Sequence, residues 1–193
     1  MRLMSSDGAI VELSVVGYEF PVASDREAQD EYDANWLVID GSVRTAEGRA
    51  WSWTEPSLLT SEARELTTWL RSAATTDGAV PIWDDARLTS WLADVESDTV
   101  EPWSSDGADE SDGLLLFLEP NLGFSVAARA EAMVHLRVHF SLEALPEPPI
   151  GAAGGFPLYS FFVTLTLDPA DLMAAVEQWE RDLAPYPIKR IAP

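Results

Sequence analysis

Apolar and polar residues alternate along much of the chain, and this period of two predicts β-strands. The pattern is clearest over residues 133–143, where a polar residue follows each apolar one. The apolar positions, which we expect to face the core, are Val134, Leu136, Val138, Phe140 and Leu142. The intervening positions, which we expect to face solvent, are His135, Arg137, His139, Ser141 and Glu143. A sheet with one face buried in the core and the other facing solvent is typically antiparallel.

Other stretches rich in β-branched and aromatic residues predict the remaining strands. They are Ala9–Tyr18, Asn35–Arg44, Arg49–Thr54, Gly113–Glu119, Leu122–Ala128 and Leu158–Leu167. Pro56 should end the strand that begins at Arg49, since proline cannot donate a hydrogen bond to a ladder. The pairs Glu55-Pro56 and Glu119-Pro120 then follow strand ends, where a glutamate is ordinarily a surface residue. We expect an antiparallel sheet of about six to seven strands.

Two segments have the spacing of amphipathic helices, at about 61–74 and 169–184. Thr60 is a suitable N-cap for the first, whose apolar positions are Ala63, Leu66, Leu70 and Ala73. The second has Asp168 as its cap and Pro169 in its first turn. Its apolar stripe is Leu172, Val176, Trp179 and Leu183. Strands and helices in this order predict an α+β fold, with residues 1–193 forming a single domain.

Residues 77–112 fit neither pattern and are interpreted as an acidic insertion into this framework. Within it, Arg87–Val95 is compatible with a short helix or a strand around Trp91. Residues 101–112 have the composition of a flexible acidic loop. Three tryptophans in this region, Trp83, Trp91 and Trp103, are candidates for aromatic interface anchors, although burial in a core explains most tryptophans equally well.

The charge of the chain is strongly unbalanced. Twelve Lys and Arg residues oppose 33 Asp and Glu residues, which gives a net charge of −21. Such a field repels nucleic acids and anionic membranes and attracts basic partners. No basic residue occurs between Arg87 and Arg129, so we take this stretch as the candidate partner-binding surface. Its residues are Asp94, Glu96, Asp98, Glu101, Trp103, Asp106, Asp109, Glu110 and Asp112. The alternative is that the carboxylates only keep the protein soluble.

No set of residues indicates catalysis or a cofactor. The chain has no cysteine, which excludes disulfides, thiolate catalysis and iron–sulfur clusters. Its two histidines, His135 and His139, lie on one predicted strand, about 13 Å apart at roughly 3.3 Å per residue, and cannot share a metal ion. We expect no metal, no cofactor and no enzymatic activity. The chain shows no signal peptide and no stretch long enough to cross a bilayer, so we expect a cytoplasmic protein.

Several short segments, in order along the chain, resemble the WapI-type immunity proteins of bacterial polymorphic toxin systems. They are Val11–Leu13, Val16–Pro21, Tyr32–Leu37, Leu58–Thr60, Phe117–Phe124, and the last helix followed by Tyr186–Ile188. Residues 77–112 look longer than the family's pattern, and no contact residues are carried over from it. The resemblance implies a protein that binds and neutralises a cognate toxin domain, commonly a nuclease.

Three function classes therefore stand beside one another. The first is a toxin-neutralising immunity protein. The second is an enzyme with an unfamiliar carboxylate site, and the third is an acidic adaptor with another basic partner. The charge and the resemblance favour the first, in which the partner is a protein and is neither a nucleic acid nor a membrane. Nothing in the sequence indicates an oligomeric state.

Overall fold

The computed structural model describes residues 1–20, 33–75, 80–97, 113–130, 132–146 and 156–190. An N-terminal sheet contains β1 (Arg2–Met4), β2 (Ile10–Tyr18), β3 (Trp36–Arg44) and β4 (Ala50–Leu59). A C-terminal sheet contains β5 (Leu114–Leu116), β6 (Leu122–Ala130), β7 (Met133–Phe140) and β8 (Phe161–Leu167). The helices are α1 (Thr60–Ala73), α2 (Asp85–Glu96) and α3 (Pro169–Leu183), and single 3-10 turns lie at Asp33–Asn35 and Leu142–Ala144.

The predicted α+β class is confirmed, with the strands divided between two sheets instead of one. Each sheet is an antiparallel meander, because its strands lie side by side in the order in which they occur in the chain. Strands that are neighbours in sequence can pair through short connections, as at Gly48, whose φ of 88° suits a turn between β3 and β4. Each sheet is therefore built from one continuous stretch of chain.

The two sheets share a single hydrophobic core with α1 and α3. Trp51 and Trp53 of β4 both meet the ring of Phe140 in β7, with centroids 5.5 and 5.6 Å apart. From α1, Trp69 reaches Phe124 of β6 at 6.3 Å. All of these residues except the partly buried Trp51 are buried. The inner faces of both sheets therefore lie against the same apolar interior.

Helix α3 forms as its sequence predicts. The side chain of Asp168 accepts a hydrogen bond from the backbone N–H of Ala170 at 2.8 Å, and Pro169 opens the helix. The predicted stripe is buried against the core: Leu172, Val176, Trp179 and Leu183. The indole N–H of Trp179 also donates to the backbone oxygen of Ala63 at 2.9 Å, which joins α3 to α1.

Pro56 does not end its strand, contrary to the prediction. Strand β4 continues to Leu59, with Pro56 opposite Val38 and a register shift between Leu37 and Val38. Since β4 lies at the end of its sheet, a residue without an N–H leaves no ladder bond unmade on the outer side. Helix α1 then begins at Thr60, the residue predicted as its cap. Its first turn is held by the carboxylate of Glu62, which accepts from the N–H of Leu59 at 2.7 Å.

The second face of β7 is buried, whereas the sequence pattern predicted a solvent-facing surface. Arg137, His139 and Ser141 are each at most 3% exposed. Arg137 is covered by the start of α2, since it binds the backbone oxygen of Trp83 and the carboxylate of Asp85. His139 and Ser141 are covered by the segment before β8, since both bond to the backbone of Tyr159. The ambiguous stretch Arg87–Val95 lies within helix α2. The alternation gives the inward side correctly as far as Phe140, where the strand ends, whereas Leu142 is exposed in the 3-10 turn and not in the core as predicted. A local alternation cannot show that other segments cover the polar side.

Replacing Gly41 by alanine is expected to lower the free energy of unfolding by about 1–3 kcal/mol, the usual effect of overpacking a core. A Cβ atom at Gly41 would overlap the indole ring of Trp53, which lies directly over this glycine. Urea denaturation measures the change. Gly17→Ala in β2 is the matched control, because no atom lies within 4 Å of the position of its Cβ. Equal stability of the two variants would show that Trp53 does not depend on the space above Gly41.

Candidate partner-binding surface

The predicted partner-binding surface can be placed only where it meets α2. Asp94 is exposed on this helix, and Glu96 is the last residue of it. The other candidates lie outside the described residues: Asp98, Glu101, Trp103, Asp106, Asp109, Glu110 and Asp112. Helix α2 is thus the structural base from which this acidic stretch departs.

Helix α2 rests on a small apolar group that we call the α2 cluster. Its buried members are Trp83, Leu88 and Leu114, and partly buried residues pack around them: Trp91, Leu92, Leu116 and Phe162. Trp83 is therefore a packing residue, not the exposed interface anchor that the sequence suggested. Trp91 bridges the cluster, with its ring 5.8 Å from that of Trp83 and 6.1 Å from that of Tyr159.

A buried arginine ties the beginning of α2 to β7. One terminal nitrogen of Arg137 donates to the backbone oxygen of Trp83 at 2.6 Å, and the other binds the carboxylate of Asp85. The guanidinium also lies over the ring of Phe162, 5.0 Å from its centroid. Burial lowers the pKa of Arg137, while the charges of Asp85 and Asp84 act in the opposite direction. The arginine thus stays charged against a partner on the helix.

His139 lies beside this arginine and is fully buried. Its Nδ1 is 2.8 Å from the backbone oxygen of Tyr159, which can only accept, so Nδ1 carries the proton. Nε2 then accepts from the hydroxyl of Ser125 at 2.9 Å. Burial lowers the pKa of His139 to about 4, with a smaller effect in the same direction from Arg137. The ring is neutral at physiological pH and closed to solvent, which makes the Ser125–His139 pair a structural contact.

The second histidine has different partners. His135 lies on the same strand, and its Nδ1 is 3.2 Å from the hydroxyl of Thr166. The two rings thus make separate contacts, as the strand spacing predicted. Within the described ranges, no three histidine or carboxylate side chains are grouped in a way that would hold a metal ion.

The described structure also contains a group of carboxylates that the sequence did not reveal, which we call the acidic groove. It is a surface cavity of about 340 Å³ lined by Glu19, Trp36, Glu55, Pro56, Glu119, Asn121 and Glu143. Burial raises the pKa of Glu19 and of Glu119, and the nearby charges of Asp33 and Glu143 raise them further. This concentration of negative charge is electrostatically suited to a cationic side chain.

The members of the acidic groove are far apart in sequence and come from both sheets. The pairs Glu55-Pro56 and Glu119-Pro120, predicted to follow strand ends, lie instead within β4 and in the connection between β5 and β6, and all four residues are half-buried. Only the packing of the two meanders brings Glu55 and Glu119 to one cavity. The repeated Glu-Pro pair was the single signal available.

The family model described as Immunity protein WapI-like matches residues 2–187, nearly the whole chain. The chain belongs to this family. No curated protein and no solved structure matches it. Membership in the WapI-like family indicates an immunity protein for a toxin, with a protein as its partner. The matched range includes α2, the acidic stretch after it and the acidic groove.

Among the described helices, none is long and apolar enough to cross a membrane.

Proposed function

We propose that this protein is a cytoplasmic bacterial immunity protein that binds and neutralises the cognate toxin domain of a polymorphic toxin system. The observation that carries the proposal is the match to the WapI-like family over residues 2–187. We further propose that the toxin domain is a basic nuclease and that the immunity protein binds it through an acidic surface.

The charge of the chain supports the finer part of the proposal. A nuclease presents basic side chains to its polyanionic substrate, and an inhibitor that covers them has to be acidic. The net charge of −21 meets this requirement. Opposite charges also steer the two proteins together and can raise the association rate constant by about 10- to 1000-fold. Rapid capture matters for an immunity protein, because each uncaptured toxin molecule keeps acting.

The leading contact surface is the acidic stretch over residues 94–112, with Trp103 as a candidate anchor. Helix α2 supports this choice, because it displays Asp94 on its exposed side and leads the chain directly into the stretch. A tryptophan surrounded by carboxylates suits an interface in which a buried ring supplies affinity and the charges supply rate.

Neutralising four of these carboxylates is expected to slow association with the toxin domain about tenfold or more at low salt. The variant carries Asp106→Asn, Asp109→Asn, Glu110→Gln and Asp112→Asn. Raising the salt should shrink the difference from wild type, since the Debye length is about 8 Å at 0.15 M. Stopped-flow association rates with the toxin domain encoded beside this gene, measured at low and high salt, provide the test.

A matched variant removes the same charge elsewhere on the molecule. Glu19, Glu55, Glu119 and Glu143 of the acidic groove are changed to glutamine, so that the net charge is identical in the two variants. If the first variant associates as fast as wild type and still protects cells, the stretch serves solubility only. Slower association of the groove variant alone would move the contact surface to the groove. If the wild-type protein binds no toxin domain, the proposed function is wrong, and the alternative of an acidic adaptor with another basic partner is favoured.

A further inference from the structure

Helix α2 is attached to the sheet by little apolar contact. Leu88 is its only buried residue among those whose burial is described, while Trp91 and Leu92 are partly buried. Helix α3, which is of similar length, buries five residues: Leu172, Ala175, Val176, Trp179 and Leu183. Elements with few buried contacts open locally at a lower free energy than the rest of a structure. Polar contacts therefore have a larger part in fixing the position of α2 than in fixing that of α3.

Two arginines of the C-terminal sheet supply that fixation. Arg129 donates to the backbone oxygens of Ala73 and Val80, at 3.2 and 3.0 Å, and so holds the chain where it leaves α1. Arg137 holds the other end, through the backbone oxygen of Trp83 and the carboxylate of Asp85 in the first turn of α2. Hydrogen bonds from a guanidinium are stronger than neutral ones and fix direction as well as distance.

The contact of Arg137 is unusually one-sided. The arginine side chain is 4% exposed, whereas the carboxylate of Asp85 is 93% exposed. The guanidinium is thus enclosed by the protein, whereas the carboxylate that it binds lies at the surface. A residue in the middle of β7 thus contacts the chain on both sides of Asp84, the N-cap of α2.

We infer that Arg137 is a positioning residue for partner binding: it fixes α2, and with it Asp94, in the orientation that the toxin domain binds. This inference rests on the proposed function. Arg137 itself touches no partner, since it is buried beneath the helix.

The first measurement is hydrogen–deuterium exchange of residues 85–96 in Arg137→Met. Methionine keeps an unbranched apolar side chain in the sheet and removes the guanidinium. Exchange in α2 is expected to rise about tenfold or more, as loss of a charged hydrogen bond predicts, while α1 and α3 keep the wild-type rates. Arg71→Met is the matched control, because it removes one arginine of an exposed ion pair with Glu180, 2.7 Å away, and leaves α2 untouched.

The second measurement is the affinity for the toxin domain, where the inference and simple electrostatics predict opposite results. Each arginine variant is one charge more negative than wild type, so charge alone would strengthen binding to a basic partner. We expect Arg137→Met to weaken binding about tenfold, since the competent orientation of α2 is less populated. Arg71→Met should bind at least as tightly as wild type.

If Arg137→Met folds poorly, Asp85→Asn tests the same contact from the side of the helix. Its side chain is exposed, so the change leaves the core intact, and it should raise exchange in α2 without adding to the effect of Arg137→Met. Asp171→Asn, an exposed residue of α3, corrects for the lost negative charge.

Unchanged exchange in α2 in both variants would overturn the inference, because packing alone would then hold the helix. Faster exchange with undiminished affinity would also overturn it, while the proposed function would stand. Absence of binding by wild type would instead contradict the proposed function, before any variant is compared.

Discussion

Replacing Trp179 by alanine is expected to lower the free energy of unfolding by about 4 kcal/mol, in the range for removing a large aromatic side chain from a core. Trp179 is fully buried and lies between α3 and α1, with its indole N–H bonded to the backbone oxygen of Ala63. The change leaves a cavity at the contact that joins the two helices. Urea denaturation followed by circular dichroism measures the loss.

Two further variants separate the loss of the buried ring from the loss of its hydrogen bond, and a core tryptophan from one at the surface. Trp179→Phe restores most of the ring, and the oxygen of Ala63 keeps its bond from the Thr67 hydroxyl at 3.1 Å, so we expect a loss of only about 1–2 kcal/mol. Trp36→Ala, at the half-buried rim of the acidic groove, should cost about 1 kcal/mol or less. Similar losses for Trp179→Ala and Trp36→Ala would contradict the core placement of Trp179.

The second large effect is a loss of stability in acid that depends on His139. Burial holds the pKa of this histidine at about 4 in the folded protein, against 6.5 for an ordinary histidine. As the pH falls below 6.5, His139 binds a proton in the unfolded chain but stays neutral in the folded protein. The free energy of unfolding therefore decreases between pH 6.5 and about 4, by on the order of 3 kcal/mol.

The comparison of His139→Gln with wild type isolates this contribution. Glutamine cannot titrate, so the variant should lose less stability than wild type over the same pH window, whatever its stability at pH 7. Glu19, Glu62 and Glu119 act in the opposite direction, since burial raises their pKa, but they are common to both proteins. His135→Gln is the matched control, because it replaces the other histidine of the same strand. Identical profiles for His139→Gln and wild type would contradict the burial of this ring.

The elements with a strong local pattern were predictable from sequence, and those that depend on distant partners were not. Helix α3 was anticipated from its cap to its buried stripe, because Asp168, Pro169 and the apolar spacing act within one segment. The division of the strands into two sheets depends on which faces meet across the core, as at Trp53 and Phe140. No local pattern carries that information.

Arg137 and His139 show the same limit at single positions. An arginine and a histidine alternating with apolar residues are expected on a solvent-facing side of a strand. Contacts with the start of α2 bury Arg137, and contacts with Tyr159 and Phe162 bury His139. The candidate surface was chosen on charge, and of its residues the described structure places Asp94 on the exposed side of α2 and Glu96 at its end. The acidic groove has no local sequence signature, because its residues come from separate strands and connections.

The order of the strands has one more consequence, for how such a protein can diversify. The N-terminal sheet is complete at Leu59 and the C-terminal sheet begins at Leu114, so residues inserted or deleted between α2 and β5 shift no strand against its neighbour. Lengthening a connection costs little free energy, about 0.6 kcal/mol for each doubling. When selection by a changing toxin acts on such a protein, this stretch can therefore change in length and in charge while both meanders keep their registers.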